Sequence, residues 1–176
     1  MYNIDFDLLL SASEYFRKLG YKTLSAPLVA DKDIINLTLP SDRTPRPHLD
    51  KYYVGSAEQS FYQLLKDGFI PFGKYMLITP CVRDERVSET HLEIFLKIEL
   101  ISMDNNFTNI FNHVYDFYTE LKLNPKLVNT PEGLDIHING IEVGSYGSRI
   151  IQGREISYGT GMAFPRITQA INNKPG

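Results

Sequence analysis

The 176 residues are 43% hydrophobic and 22% charged, the balance of one soluble globular domain with room for a sizeable core. A net charge of −3 argues against an affinity built mainly on phosphate neutralisation, for which a basic surface is expected. A single cysteine, Cys81, excludes an intramolecular disulfide framework and a cysteine-rich zinc cluster, and no apolar run reaches the ~18 residues of a membrane span.

Residues 6–19 carry Phe6, Leu9, Leu10, Tyr15, Phe16 and Leu19 near helical spacing, with Gly20 as a stop. The acidic start before them lacks a signal peptide's basic residues, so a cytoplasmic location is expected. Residues 21–26 read as a strand broken by Pro27, and 38–50 as a proline-containing loop. Arg43, Arg46, His48 and Lys51 in that region are the nearest approach to a basic patch, and an ordinary solvated loop accounts for them. Ser56 suits the cap of a short helix over 57–65 that ends near Gly68. Strands are predicted at 75–82 and 91–101, joined by a tight turn. Phe107, Ile110, Phe111, Val114, Phe117 and Leu121 then predict a helix over 106–121, capped by Asp104 or Asn105, whose stripe reads as core packing. Strands at 134–138 and 141–151 meet at Asn139-Gly140, a hairpin signal, and a last helix is expected from Gly161 to about Asn172. No repeat or linker divides the chain. The expected fold is one α+β domain over 1–176, a largely antiparallel β-sheet flanked by helices, with the helices gathered on one side.

The chemistry concentrates in a few places. Arg83, Glu85, His91 and Phe95 fall on two neighbouring strand-like runs. The planar fork of arginine suits phosphate, a carboxylate suits the adenine amino group, and a ring can stack on the base. Taken singly, Arg83 and Glu85 read as a surface ion pair worth at most about 1 kcal/mol, His91 as structural and Phe95 as core. Together they suit a nucleotide. Glu142 on a strand, with Ser145 close by, offers the hard oxygen donors that magnesium prefers; an exposed strand carboxylate is the even alternative. Gly159 and Gly161 are expected to let backbone approach a nucleotide, with Arg166 behind them. Ser56 and Glu58 put a hydroxyl and a carboxylate where a strand meets a helix, a pair that suits an ammonium; helix capping by Ser56 weighs equally. Cys81 reads as a packed thiol. Tyr53, Gln59, Ser145, Tyr146 and Arg149 are candidates for a side-chain pocket, in which Arg149 would favour an acidic substrate and a small polar pocket serine or a similar residue.

In order along the chain, these residues resemble three signatures of the class II aminoacyl-tRNA synthetase catalytic core. They are the element from Gly20-Tyr21 to Pro27, then Arg83-x-Glu85 with His91-x-x-x-Phe95, then Gly159-x-Gly161-x-x-x-x-Arg166. Thr79-Pro80-Cys81, Lys97-Ile98-Glu99-Leu100 and Glu142-x-x-Ser145 are similar to the seryl enzymes, and Ser56-Ala57-Glu58 stands where those carry a Thr-x-Glu. The resemblance implies ATP- and Mg2+-dependent adenylation of an amino acid or related small carboxylate. Arg83 would take the α-phosphate and the substrate carboxylate, Glu85 the adenine amino group and Phe95 its face. His91 and Arg166 would hold the γ-phosphate, Glu142 with Ser145 the magnesium, and Ser56 and Glu58 the substrate's amino group. It also implies a homodimer through residues 6–28. Neither an anticodon-binding domain nor a coiled-coil arm lies within these residues, and the gap from Glu85 to His91 is short. The expected acyl acceptor is therefore a small amine, ammonia or a carrier rather than tRNA. A catalytically silent regulatory or binding subunit, and a minimal synthetase that charges tRNA with a partner chain, are the alternatives.

Overall fold

The computed structural model describes residues 4–68, 70–84, 86–104, 106–131 and 133–173. Helix α1 (Phe6–Lys18) starts on the Asp5 carboxylate, which accepts from the Leu8 amide, and the chain leaves it through Gly20 at φ +88°. Short elements follow: β1 (Lys22–Leu24), β2 (Val29–Ala30), α2 (Lys32–Asn36), β3 (Pro47–His48) and β4 (Lys51–Tyr53). The larger ones are α3 (Ala57–Asp67), β5 (Lys74–Val82), β6 (Ile94–Ser102), α4 (Phe107–Glu120), β7 (Lys126–Thr130), β8 (Gly133–Ile138), β9 (Ile141–Ile151), β10 (Arg154–Ala163) and α5 (Arg166–Asn172). No helix among the described residues is long and apolar enough to cross a membrane.

The main sheet has the order β1-β5-β6-β10-β9-β8-β7 and is antiparallel except where β1 pairs with β5; β2-β4-β3 form a small second sheet. Strand alternation divides the core in two. Met76 of β5 and Ile98 and Leu100 of β6 face α1, α4 and α5, where Phe16, Val114, Phe117 and Ile167 pack on them. Tyr75, Leu77 and Ile101 face the opposite way, under α2 and α3, against Ile34, Phe61 and Tyr62. The helices therefore cover both faces of the sheet rather than one. The cause is legible in α3, whose buried run from Ala57 to Gln63 needs an apolar partner of its own.

Two strands interrupt their own alternation. Between β8 and β9 the register moves from Ile136↔Gly144 to His137↔Glu142, leaving Val143 as an extra residue. Between β10 and β6 it moves from Thr160↔Glu99 to Met162↔Ile98, leaving Gly161 extra. Strands β7 and β10 and the short pieces around residues 29–53 are not apparent from the sequence, and the last helix begins at Arg166, not after Gly161. Glycines that read as turn punctuation sit here inside a buried strand. A Cβ on Gly159 would lie 2.3 Å from the Tyr146 ring and 2.8 Å from Ile110, and one on Gly161 would lie 3.0 Å from both Ile98 and Phe16. Their bare faces admit the helix layer, not a ligand. Helix α4 is capped by Asn106, which accepts from the Thr108 amide, rather than by Asp104; Asn105 lies outside the described residues. Gly159→Ala should accordingly cost about 1–3 kcal/mol by overpacking, read as a lower denaturation midpoint at unchanged m-value.

Candidate functional site

The face of the sheet that carries α3 continues past that helix into an open cleft of about 320 Å³, within the roughly 300–1,000 Å³ usual for small-molecule sites. On β6, Phe95 and Lys97 point into it, because Leu96, Ile98 and Leu100 are committed to the opposite core. The extra residue at Val143 puts Glu142 and Ser145 on the cleft wall together, although an odd spacing would separate them on a regular strand. The extra residue at Gly161 likewise brings Thr160 and Ala163 to the same wall, opposite Glu99 and Lys97. Arg83, His91 and Arg166 line it as well.

Arg83 follows directly after β5 and is half-buried. Its Nε donates to the Gly55 carbonyl at 2.7 Å, and its guanidinium lies 5.0 Å from the centre of the Phe95 ring. His91 does not belong to a strand, since β6 begins at Ile94, yet it reaches the cleft through a connection held by Arg83 N to Glu93 O at 2.9 Å and Ser88 N to His91 O at 2.8 Å. Glu85 lies outside the described residues. Arg166, the first residue of α5, donates to Glu142 Oε1 at 2.6 Å, and its second terminal nitrogen meets His91 Nε2 at 3.1 Å. Burial, then the Arg166 guanidinium, pushes the His91 pKa below the usual histidine range. The imidazole is therefore neutral at pH 7, with Nε2 accepting from Arg166.

Deeper along the same face lie two ion pairs. Lys97 Nζ stands 2.6 Å from Glu99, whose carboxylate is almost wholly buried and also accepts from Ser56 Oγ at 2.8 Å. Arg149 Nε donates to Glu58 at 3.0 Å, and the Tyr62 hydroxyl donates to the same oxygen at 2.5 Å. Burial and then Glu99 push the Glu58 pKa up, while Arg149 and the Tyr62 hydrogen bond pull the other way. Breaking the Lys97–Glu99 pair by removing one partner is of the class that costs about 3–5 kcal/mol, whereas Arg149, 36% exposed, is partly screened by solvent. Ser56 also caps α3, accepting from the Glu58 amide. Ser56 and Glu58 thus lie under cations of the sheet and do not line the cleft.

The remaining pocket candidates separate cleanly. Tyr146 points into the helix-side core and donates to the Thr160 carbonyl, whereas Gln59, bonded to Ile35 and Thr38, and Tyr53, which meets His48, line a second hollow of about 150 Å³ with Ser56 and Arg83. Ser145 and Arg149 remain on the site face. Lys97 and Thr160 were missed in the sequence; the alternation of β6 with Phe95 was the signal for the first, whereas the second depends on the irregularity in β10. Cys81 is fully buried and its thiol is pushed up to about 11, as befits a packed group. The basic loop is taken up by acids: Arg46 pairs with Asp84 and Glu93, Lys51 with Asp31.

No protein-family model and no curated protein matches this chain. Solved structures do. A pyrrolysyl-tRNA synthetase of Desulfitobacterium hafniense matches with a TM-score of 0.75 at 12% identity, over 96% of this chain and 69% of that one. A seryl-tRNA synthetase of Pyrococcus horikoshii complexed with ATP matches with a TM-score of 0.78 at 15% identity, over 95% and 49%. A cytoplasmic serine-tRNA ligase of Naegleria fowleri in complex with AMP gives 0.72 at 15%, over 93% and 47%. The chain spans about half the length of these two seryl enzymes. The fold is an α+β fold with a large, mostly antiparallel sheet flanked by helices, matching class II aminoacyl-tRNA synthetase catalytic cores.

In Arg166→Gln, the His91 resonance should titrate closer to the usual histidine value by NMR, because a like charge has been removed. The folded pKa of His91 lies below the unfolded value of about 6.5, so the stability it contributes is present above that pH and declines as pH falls through the window beneath it.

Proposed function

We propose that this chain activates an amino acid or related small carboxylate as its adenylate, using ATP and Mg2+. The observation that carries the reading is the convergence of Arg83, His91, Phe95, Glu142, Ser145 and Arg166 on one cleft from four separate stretches of the chain. In the reaction, an oxygen of the substrate carboxylate attacks the α-phosphorus of ATP. The bond from that phosphorus to the β-bridging oxygen breaks, and pyrophosphate leaves with the electron pair. No protein nucleophile is needed, so catalysis rests on alignment and charge neutralisation.

Arg83 is assigned to the α-phosphate and the attacking carboxylate, Phe95 to the adenine face, Glu85 to the adenine amino group, and His91 with Arg166 to the γ-phosphate. Magnesium accepts few protein ligands when phosphates supply the rest, and Glu142 with Ser145, two oxygen donors on one wall of the cleft, fit that demand. When bound, the ion would neutralise charge on the phosphates. Arg166 would then leave Glu142 for phosphate, exchanging one anionic partner for another. Ser145 on the wall, with Ser56 and Glu58 beneath, is assigned to the amino-acid end; an α-ammonium reaching Glu58 would share that carboxylate with Arg149. Exposed Phe6, Leu10 and Leu28 support a homodimer through residues 6–28. The net charge of −3 supports an acyl acceptor other than tRNA, such as a small amine, ammonia or a carrier.

Amino-acid-dependent ATP–pyrophosphate exchange tests the reading. One acid should give exchange, and Arg83→Ala should lower it by about 10²–10³-fold. Background exchange across a full panel, with ATP still binding, would instead favour a silent subunit. A second expectation concerns protons. Phosphate oxygens beside His91 must raise its pKa from the depressed value of the free protein, so the complex holds more protons. ATP affinity should therefore rise as pH falls through the window below about 6.5, with proton uptake seen as a buffer-dependent calorimetric enthalpy.

A further inference from the structure

Arg149 has a setting that adenylation does not use. It lies on β9, on the face shared with Ser145 and Gly147, and Gly147 pairs with Tyr158 of β10. Its Nε is anchored on Glu58 at 3.0 Å, and its guanidinium lies 5.2 Å from the centre of the Tyr158 ring. Glu58 is itself fixed by the Tyr62 hydroxyl within α3. These contacts occupy one edge and one face of the guanidinium. Its two terminal nitrogens make no hydrogen bond to any described residue, and the side chain is 36% exposed.

A guanidinium held in this way presents a fork of parallel donors at little further cost in ordering. The charges around it also matter. Glu58 and Glu99, the two carboxylates of this face nearest the ion pairs, are already matched by Arg149 and Lys97. An anion arriving here meets the outer edge of a cation rather than an unbalanced carboxylate. Arg149 stands four residues beyond Ser145, about 13 Å along an extended strand, so a group reaching it is several bonds from the carboxyl that reacts.

We infer that the acid activated at this site carries a second anionic group, a carboxylate or a phosphate, and that Arg149 selects it. This rests on the adenylation reading of the cleft. A merely structural Arg149, present to neutralise Glu58, would give no preference between an acid and its amide.

The experiment compares isosteric pairs on the native protein: glutamate with glutamine and aspartate with asparagine, together with O-phosphoserine to separate phosphate from carboxylate. Pyrophosphate exchange should favour an acid over its amide by about 100-fold in kcat/KM, the discrimination expected of a charged hydrogen-bonding partner. In Arg149→Gln the preference should shrink to within a few-fold, carried mainly by KM, and Arg149→Lys should restore part of it. ATP affinity and melting temperature, measured on each variant, report whether the fold survives. Direct calorimetric binding of the same acids to ATP-loaded protein reads the inference without turnover. Acid bound and amide excluded, with no exchange, would count against adenylation while leaving Arg149 its role. Equal binding of acid and amide in the native protein, binding of neither, or a preference that survives Arg149→Gln, would overturn the inference.

Discussion

A β-strand shows its side chains to alternate faces, and the lining of the cleft depends on two neighbouring strands that each break that rule once. Were β9 regular through Val143, Glu142 and Ser145, three positions apart, would face opposite sides of the sheet. Were β10 regular through Gly161, Ala163 would turn into the helix core, and the approach to Arg166 would change with it. The same irregularities let both faces stay packed: Val143 and Met162 remain in the core under α4 and α5 while their neighbours line the site. Site and core are thus two readings of one strand phase.

The charges are arranged on the same economy. Each cation lining the cleft has an acid or a ring to rest on, Arg166 on Glu142, Lys97 on Glu99 and Arg83 against Phe95, and Arg149, further along the same face of the sheet, rests on Glu58. The two pairs at the depth of the site involve carboxylates that are nearly inaccessible, and their desolvation is offset only while both partners stay. Those pairs act as fixed scaffold. The Arg166–Glu142 pair is the more exposed, with Glu142 at 40%, and it can exchange partners with little desolvation to recover.

Much of this was legible in the sequence because it depended on local pattern. The stripes of α1 and α4, the Asn139-Gly140 hairpin and the Ser56 cap follow from spacing and turn chemistry, and they stand within a residue or two of the expected positions. Arg83, His91, Phe95, Glu142 and Arg166 meet in one cleft even though His91 sits on a connection and not a strand. What was not legible depended on the tertiary neighbour. Gly159 and Gly161 look like a turn, and only Tyr146, Phe16 and Ile110 pressing on them explain why bare backbone is needed in a central strand. Tyr146 looks like a pocket residue because it flanks site residues in sequence, yet strand phase turns it into the helix-side core. The second layer of helices was hidden for the same reason, since a strand buried on both faces carries no polar side to reveal it.

The central claim is that this one cleft takes ATP with its phosphates between Arg83 and the His91–Arg166 pair. A crystal structure with a non-hydrolysable ATP analogue and Mg2+ tests it most directly. The account predicts the adenine against Phe95, the terminal phosphate on Arg166 and His91, and the Arg166–Glu142 hydrogen bond opened from its 2.6 Å. A nucleotide seated elsewhere, or a cleft left empty with that hydrogen bond intact at saturating analogue, would contradict it.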